Sequence, residues 1–324
     1  MVTEDVTSVP RPRPAVLRRL TPVIVAWAVL YGSVRVSFAL GNAPTFSPLP
    51  QDLLLYSYWG AAALCAAAGV VAVALRLTAG NRAVLAAGWA VTAAILLACP
   101  LVLLDIVGGL LAGLGIPVDL VSLASRAGML SGALLLGAAS LAYQREMRRG
   151  CQRCGRTRPT VRDERTPAWA WWAAYLAVAG CLVRIAAQLS VGFGDLIDEA
   201  GVALVVFEAG FVLAGTLLPL ALVHRFGIIW PAWVLPLAGR RVPRWLVLGP
   251  GFLLGGMMTL YFGFGLAQMA GALVSGAAAY GDGVSSAGFL WASVSAYLVW
   301  GAGITAASVA RFRATRPSCR TCGL

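Results

Sequence analysis

Long apolar runs, broken only by short loops whose basic residues are all arginine, leave this chain few ways to fold. In hydrocarbon every backbone N–H and C=O must find its partner within the chain, so such runs are predicted to be membrane-crossing helices. They fall at about 23–43, 53–76, 83–111, 119–143, 168–190, 200–223, 245–271 and 286–310. Each is long enough to cross a core of roughly 30 Å at 1.5 Å per residue. Hydrophobic residues occupy 60% of the 324 positions and charged ones 12%. That charged fraction is about half of what an ordinary soluble domain carries, and it excludes a soluble globular class.

Arginine placement orients the spans. The chain has 25 basic residues, 13 acidic ones and no lysine. Twenty-two arginines fall on one side of the parse: the N-terminal arm, the turn between spans 2 and 3, the segment 144–166, the loop between spans 6 and 7, and the tail. The other side has no arginine and holds Asp52, Asp119, Asp195, Asp198, Glu199 and Asp282. The positive-inside rule then places both termini in the cytoplasm of a bacterial plasma membrane. It accounts for the net charge of +12 without nucleic acid as a partner; the partner is the bilayer. The arm Met1–Thr21, broken by Pro10, Pro12 and Pro14, reads as unstructured, and the first span lacks a clear cleavage site and is expected to be retained.

The chain also repeats itself. Thr21-Pro22 opens the first span and Thr166-Pro167 the fifth, with Arg35 and Arg184 following at positions that differ by about one helical turn. Gly80-Asn-Arg82 precedes span 3, as Gly239-Arg-Arg241 precedes span 7. Cys151-Gln-Arg-Cys154-Gly155 follows span 4, and Cys319-Arg-Thr-Cys322-Gly323 follows span 8. The expected fold is therefore all-α integral membrane, about eight transmembrane helices in two parallel four-helix repeats. A cytoplasmic arm (1–22) precedes a first repeat (23–165) and a second (166–324). Four spans per repeat give both repeats one orientation, with a pseudo-twofold axis along the membrane normal. The segments Tyr31–Gly41 and Gly239–Pro250 resemble those of a group of uncharacterised actinobacterial multi-pass membrane proteins. The abundance of Ala, Gly and Arg fits that origin, and the resemblance implies no activity.

Two features carry chemistry. Cys151, Cys154, Cys319 and Cys322 form two Cys-x-x-Cys-Gly turns of the kind that present paired thiolates to one metal. The pairs are distant in sequence, but four spans return the chain to the same face, so a shared structural zinc is the leading reading. A cytoplasmic thiol-redox pair is the alternative. Cys65, Cys99 and Cys181 lie within spans and read as packing residues. With His224 as the single histidine, a bis-His haem is excluded.

The second feature is charge at membrane depth. Arg35, Asp105, Arg126, Arg184 and Glu208 all fall in the outer half of the membrane, where lipid exposure costs roughly 2.5–3.5 kcal/mol each. They are expected to turn inward and pair, either as one polar cluster with a spare positive charge for an anionic or lipid-like ligand, or as a structural ion-pair network. Pro100 and Pro219 are candidates for kinks near these charges, and Gly255, Gly256, Gly263 and Gly265 mark span 7 for close packing. The segment Phe226–Pro243, with Trp230, Trp233 and three prolines, is expected along the inner interface.

These features favour a transporter or permease for a small, anionic or lipid-like molecule. Alternatives are a membrane-embedded enzyme on a lipid or prenyl substrate, for which no acid-rich or serine-hydrolase motif is present, and a non-catalytic scaffold clamped by zinc.

Overall fold

The computed structural model describes residues 15–44, 46, 54, 56, 58–99, 102, 105, 109, 119–151, 153–157, 166–192, 196–276, 287–316, 319 and 321–322. Eight α-helices make up the described chain: α1 (Ala15–Ser37), α2 (Trp59–Leu77), α3 (Arg82–Ala98), α4 (Leu120–Met147), α5 (Ala168–Val191), α6 (Leu196–Val223), α7 (Arg244–Ser275) and α8 (Ala287–Ala314). No named strand occurs among these residues; one isolated β-bridge joins Ile229 to Arg241. Seven helices are long and apolar enough to cross a membrane, and α3, with 17 residues, is the shorter one. The chain is thus compatible with a polytopic membrane protein.

The helices match the eight apolar runs, with differences that have local causes. Residues Ala15–Thr21, expected in the unstructured arm, are instead the first turns of α1 and carry Arg18 and Arg19 ahead of the apolar stretch. Helix α3 stops at Ala98 with Cys99 at φ −116°, ψ 48°; Cys99 precedes a proline, which disfavours the α conformation there. Val102, Asp105 and Gly109 are helical beyond the break. Asn81 starts α3 by accepting from the N–H groups of Ala83 (2.9 Å) and Val84 (3.4 Å), and Asp119 starts α4 by accepting from Ser122 N–H at 2.9 Å. Both are side-chain caps for otherwise orphaned donors. Residues 1–14 of the arm, Pro100, and Asp52, Asp195 and Asp282 of the acidic side lie outside the described residues.

Apolar side chains surround these helices, as they must in lipid. Leu30, Val70, Trp172, Val202 and Val274 are all exposed on outer faces. Inside, the buried residues form two cores. One draws only on residues between Leu17 and Tyr143, and the other only on residues between Ala170 and Ala310. In the first half α1 packs on α2 and α4, and α4 on α3; in the second α5 packs on α6 and α8, and α8 on α7. Across the halves, α3 touches α7.

Small residues let the helices approach. Gly88 of α3 abuts the fully buried Ser140 of α4 and Leu75 of α2. Gly251 of α7 abuts the fully buried Ser308 of α8 and Leu222 of α6. Ser140 and Ser308 stand 168 residues apart, as do Cys151 and Cys319, and Cys154 and Cys322. Helices α4 and α8 therefore present matching positions to matching neighbours. Of the glycines in α7, Gly255 lies tight against Thr305, whereas Gly256 faces open space.

Candidate metal centre and buried charges

The first Cys-x-x-Cys turn begins where α4 ends. Arg149 adopts φ 50°, turning the chain back sharply, and the loop then closes on itself. Cys151 N–H donates to Arg156 O at 2.9 Å and Gly155 N–H donates to Cys151 O at 2.6 Å. Gly155 sits at φ 76°, a left-handed conformation that a side chain would strain. The second pair lies beyond α8, in the C-terminal tail, with Cys319 buried. The sulfur atoms of Cys151, Cys154, Cys319 and Cys322 all lie within 4.8 Å of one another. Cys151 Sγ is 3.9 Å from Cys319 Sγ, and Cys154 Sγ is 3.6 Å from Cys322 Sγ. Four thiolates bound tetrahedrally at about 2.3 Å from a zinc ion stand roughly 3.8 Å apart. The four cysteines are so placed that they could hold one metal ion between them, two donated by each half.

Local electrostatics favour thiolates here. Backbone N–H groups of Thr321 and Cys322 hold the Cys319 thiol down at about 6, and those of Cys154 and Arg153 lower that of Cys151. Such donors stabilise the charged form of the ligand before any metal arrives. Guanidinium groups gather around the loops. Arg145 lies along Gly155 and donates to Arg153 O at 3.4 Å; Arg156 reaches across to the tail, donating to Arg316 O at 3.3 Å. Burial, reinforced by Arg156 and Arg145, lowers the pKa of Arg316. A divalent metal with four thiolates is a doubly negative centre, and this collar of arginines opposes that charge.

All five membrane-depth charges have observed partners, each within its own half. Arg35 is fully buried on α1; its Nη1 donates to Ser125 Oγ of α4 at 3.0 Å, and its guanidinium lies 5.3 Å from the Phe38 ring. Beside it Tyr31 donates to Ser125 O at 2.6 Å and Trp27 to Gly128 O at 2.8 Å, which ties α1 to α4. Arg126, also on α4, forms a buried ion pair with Asp105. In the second half Arg184 of α5 pairs with Glu208 of α6, its Nη1 donating to both carboxylate oxygens, at 3.1 Å to Oε1 and 3.0 Å to Oε2. Its Nε donates to Tyr297 OH of α8 at 2.8 Å, and its guanidinium lies 4.6 Å from the Phe211 ring. The structure brings Asp105 to Arg126 and Glu208 to Arg184. Arg35 joins α1 to α4, whereas Arg184 joins α5 to α6 and α8.

Ser125, Tyr297 and Phe211 are the partners that sequence reasoning missed. A serine or an aromatic in an apolar helix carries no signal of its own. His224 is held by Tyr175 OH at 3.2 Å and by an edge-to-face contact with Trp171. The loop after α6 is folded back on itself: Trp230 N–H donates to Arg240 O at 2.9 Å and Val242 N–H to Ile228 O at 2.8 Å. Its tip leaves Trp233 and Leu235 exposed.

The chain matches no protein-family model, and neither curated proteins nor solved structures give a significant match.

Proposed function

We propose that this protein is a zinc-clamped scaffold of the bacterial plasma membrane, in which two four-helix repeats of one orientation are tied together at their cytoplasmic face. The observation that carries the reading is the convergence of four cysteine sulfurs within 4.8 Å, one pair from the turn after α4 and one from the tail after α8. Zinc fits this donor set best: four thiolates in tetrahedral array suit an ion with no redox chemistry and leave no open position for substrate. The site is therefore structural in kind.

Duplication is supported by the 168-residue register that relates Ser140 to Ser308 and each cysteine to its counterpart, and by the common packing order of the helices within each half. Cytoplasmic placement of this face is supported by the arginines at the same end of the helices, among them Arg145, Arg148, Arg244 and Arg313. The clamp spans the joint between halves that otherwise keep separate cores.

Transport of a small anionic or lipid-like molecule is the second reading. It is favoured by buried charge inside apolar helices, where Arg184 and Glu208 sit among Phe211 and Tyr297. The clamp reading takes precedence because each charge has partners within its own half.

Elemental analysis of the purified full-length protein tests the clamp. About one zinc per chain is expected, falling to none when either Cys151 and Cys154 or Cys319 and Cys322 are replaced by serine. Zinc retained by one pair alone would contradict a shared site.

A further inference from the structure

The 168-residue register that aligns α4 with α8 exposes one place where the halves differ in kind. In the first half, Tyr143 is fully buried near the end of α4, and its hydroxyl accepts from Asn81 N–H at 2.9 Å, just after α2. Its ring and the neighbouring Met147 pack in the core and seal that end of the bundle. The corresponding residue of α8 is Arg311, whose Nη2 donates to Gly227 O at 2.7 Å, just after α6. Where Met147 packs, the second half has Thr315. The tether to the preceding helix is kept, while the apolar side chains of Tyr143 and Met147 have polar counterparts in Arg311 and Thr315.

Beside Arg311 is a cavity of about 440 Å³. Arg311 and Arg241 line it with Thr166 and Thr315, against an apolar wall that includes Ile228 and Ile229. No acidic residue is among the lining residues. Helix α5 begins beside the cavity, at Pro167, without a capping side chain, so the positive end of its dipole adds to the two guanidiniums. Two cations, the Thr166 hydroxyl and a helix start are complementary to a phosphate group, while Thr315 spends its hydroxyl proton on Arg311 O at 2.7 Å. The surroundings select the source of that phosphate. The flanking loop carries Trp233 and Leu235 at 78% and 85% exposure, and Trp245 opens α7 at 61%. Exposed indole and leucine beside arginines mark the headgroup level of a bilayer.

We infer that this cavity binds the phosphate head group of an anionic phospholipid, with Arg241 and Arg311 as its counter-ions and the Ile228–Ile229 wall against the glycerol. The site belongs to the second half alone and is independent of the metal.

Native mass spectrometry of the full-length protein, exchanged into mixed phosphatidylglycerol and phosphatidylcholine, tests it. Phosphatidylglycerol should be retained in preference. Arg241→Gln should weaken that retention about fivefold, the effect expected of one arginine at an anionic surface. Arg311→Tyr, which installs the first half's residue, should weaken it at least as much. Arg240→Gln, exposed and outside the cavity, should weaken it clearly less than Arg241→Gln does. Arg241→Gln is the deciding variant if Arg311→Tyr fails to fold, since Arg241 is exposed. Equal retention of the two lipids, or unchanged phosphatidylglycerol binding in Arg241→Gln, would overturn the inference. Displacement of the lipid by millimolar inorganic phosphate would overturn it too, assigning the cavity to a free anion.

Discussion

Arg184 and Glu208 illustrate how a single residue is constrained inside an apolar bundle. Each would be costly to leave facing hydrocarbon, and together they form an ion pair in which one guanidinium nitrogen serves both carboxylate oxygens, with side chains mostly buried at 11% and 20% exposure. Tyr297 and Phe211 fill the remaining space around the guanidinium. Removing one partner strands the other, which in buried pairs costs about 3–5 kcal/mol. Glu208→Gln and Arg184→Gln should therefore each lower the thermal midpoint in detergent more than the double variant does. A double variant at the sum of the two singles would show that the charges are not coupled. At this scale the sequence was informative about which residues matter and silent about their company. The charges stood out because apolar helices exclude them. Tyr297 and Ser125 did not, because a hydroxyl at a helix interface looks like any other polar residue until its partner is known.

Among the elements, spans were legible because hydrocarbon imposes a length and a composition. Their packing was less so. Glycines are abundant throughout, and only the packing of the helices separates those that set a helix crossing from those that face open space. A Cβ at Gly303 of α8 would stand 2.5 Å from Ala173 O, and one at Gly180 of α5 would stand 2.7 Å from Ala296 O. These backbone contacts cannot yield without separating α5 from α8, the pair at the heart of the second core. Gly303→Ala should destabilise the protein by about 1–3 kcal/mol, as overpacking does, measured by thermal unfolding in detergent. Gly256→Ala, with nothing within 4 Å, serves as the comparison and should be neutral or slightly stabilising, since alanine is the better helix former. Equal effects would mean that α5 and α8 do not meet at Gly303. The break in α3 after Cys99 was foreshadowed by the proline that follows it. The cavity beside Arg311 was hidden, because it depends on which residue of the second half replaces Tyr143.

For the whole molecule, two separate cores raise the question of what holds the halves together. Orientation comes first. Reporter fusions after Gly80, Gly155 and Gly227 should report cytoplasm, and fusions after Gly41, Gly115, Gly194 and Gly281 the opposite side; a consistent reversal within either set would show a miscounted span. Given that orientation, the turn after α4 and the tail after α8 share a face, and their cysteines meet there. This convergence was readable from the sequence in outline, from two Cys-x-x-Cys-Gly turns separated by an even number of spans. The arginine collar was not, because arginines on that side have a sufficient explanation in topology alone. X-ray absorption at the zinc edge of the purified protein measures the clamp directly. Four sulfur neighbours at about 2.3 Å and no nitrogen or oxygen ligand are expected, a shell lost when Cys319 and Cys322 are replaced by serine although Cys151 and Cys154 remain. A protein that carries no zinc and instead forms a reducible Cys151–Cys319 or Cys154–Cys322 disulfide would contradict the clamp.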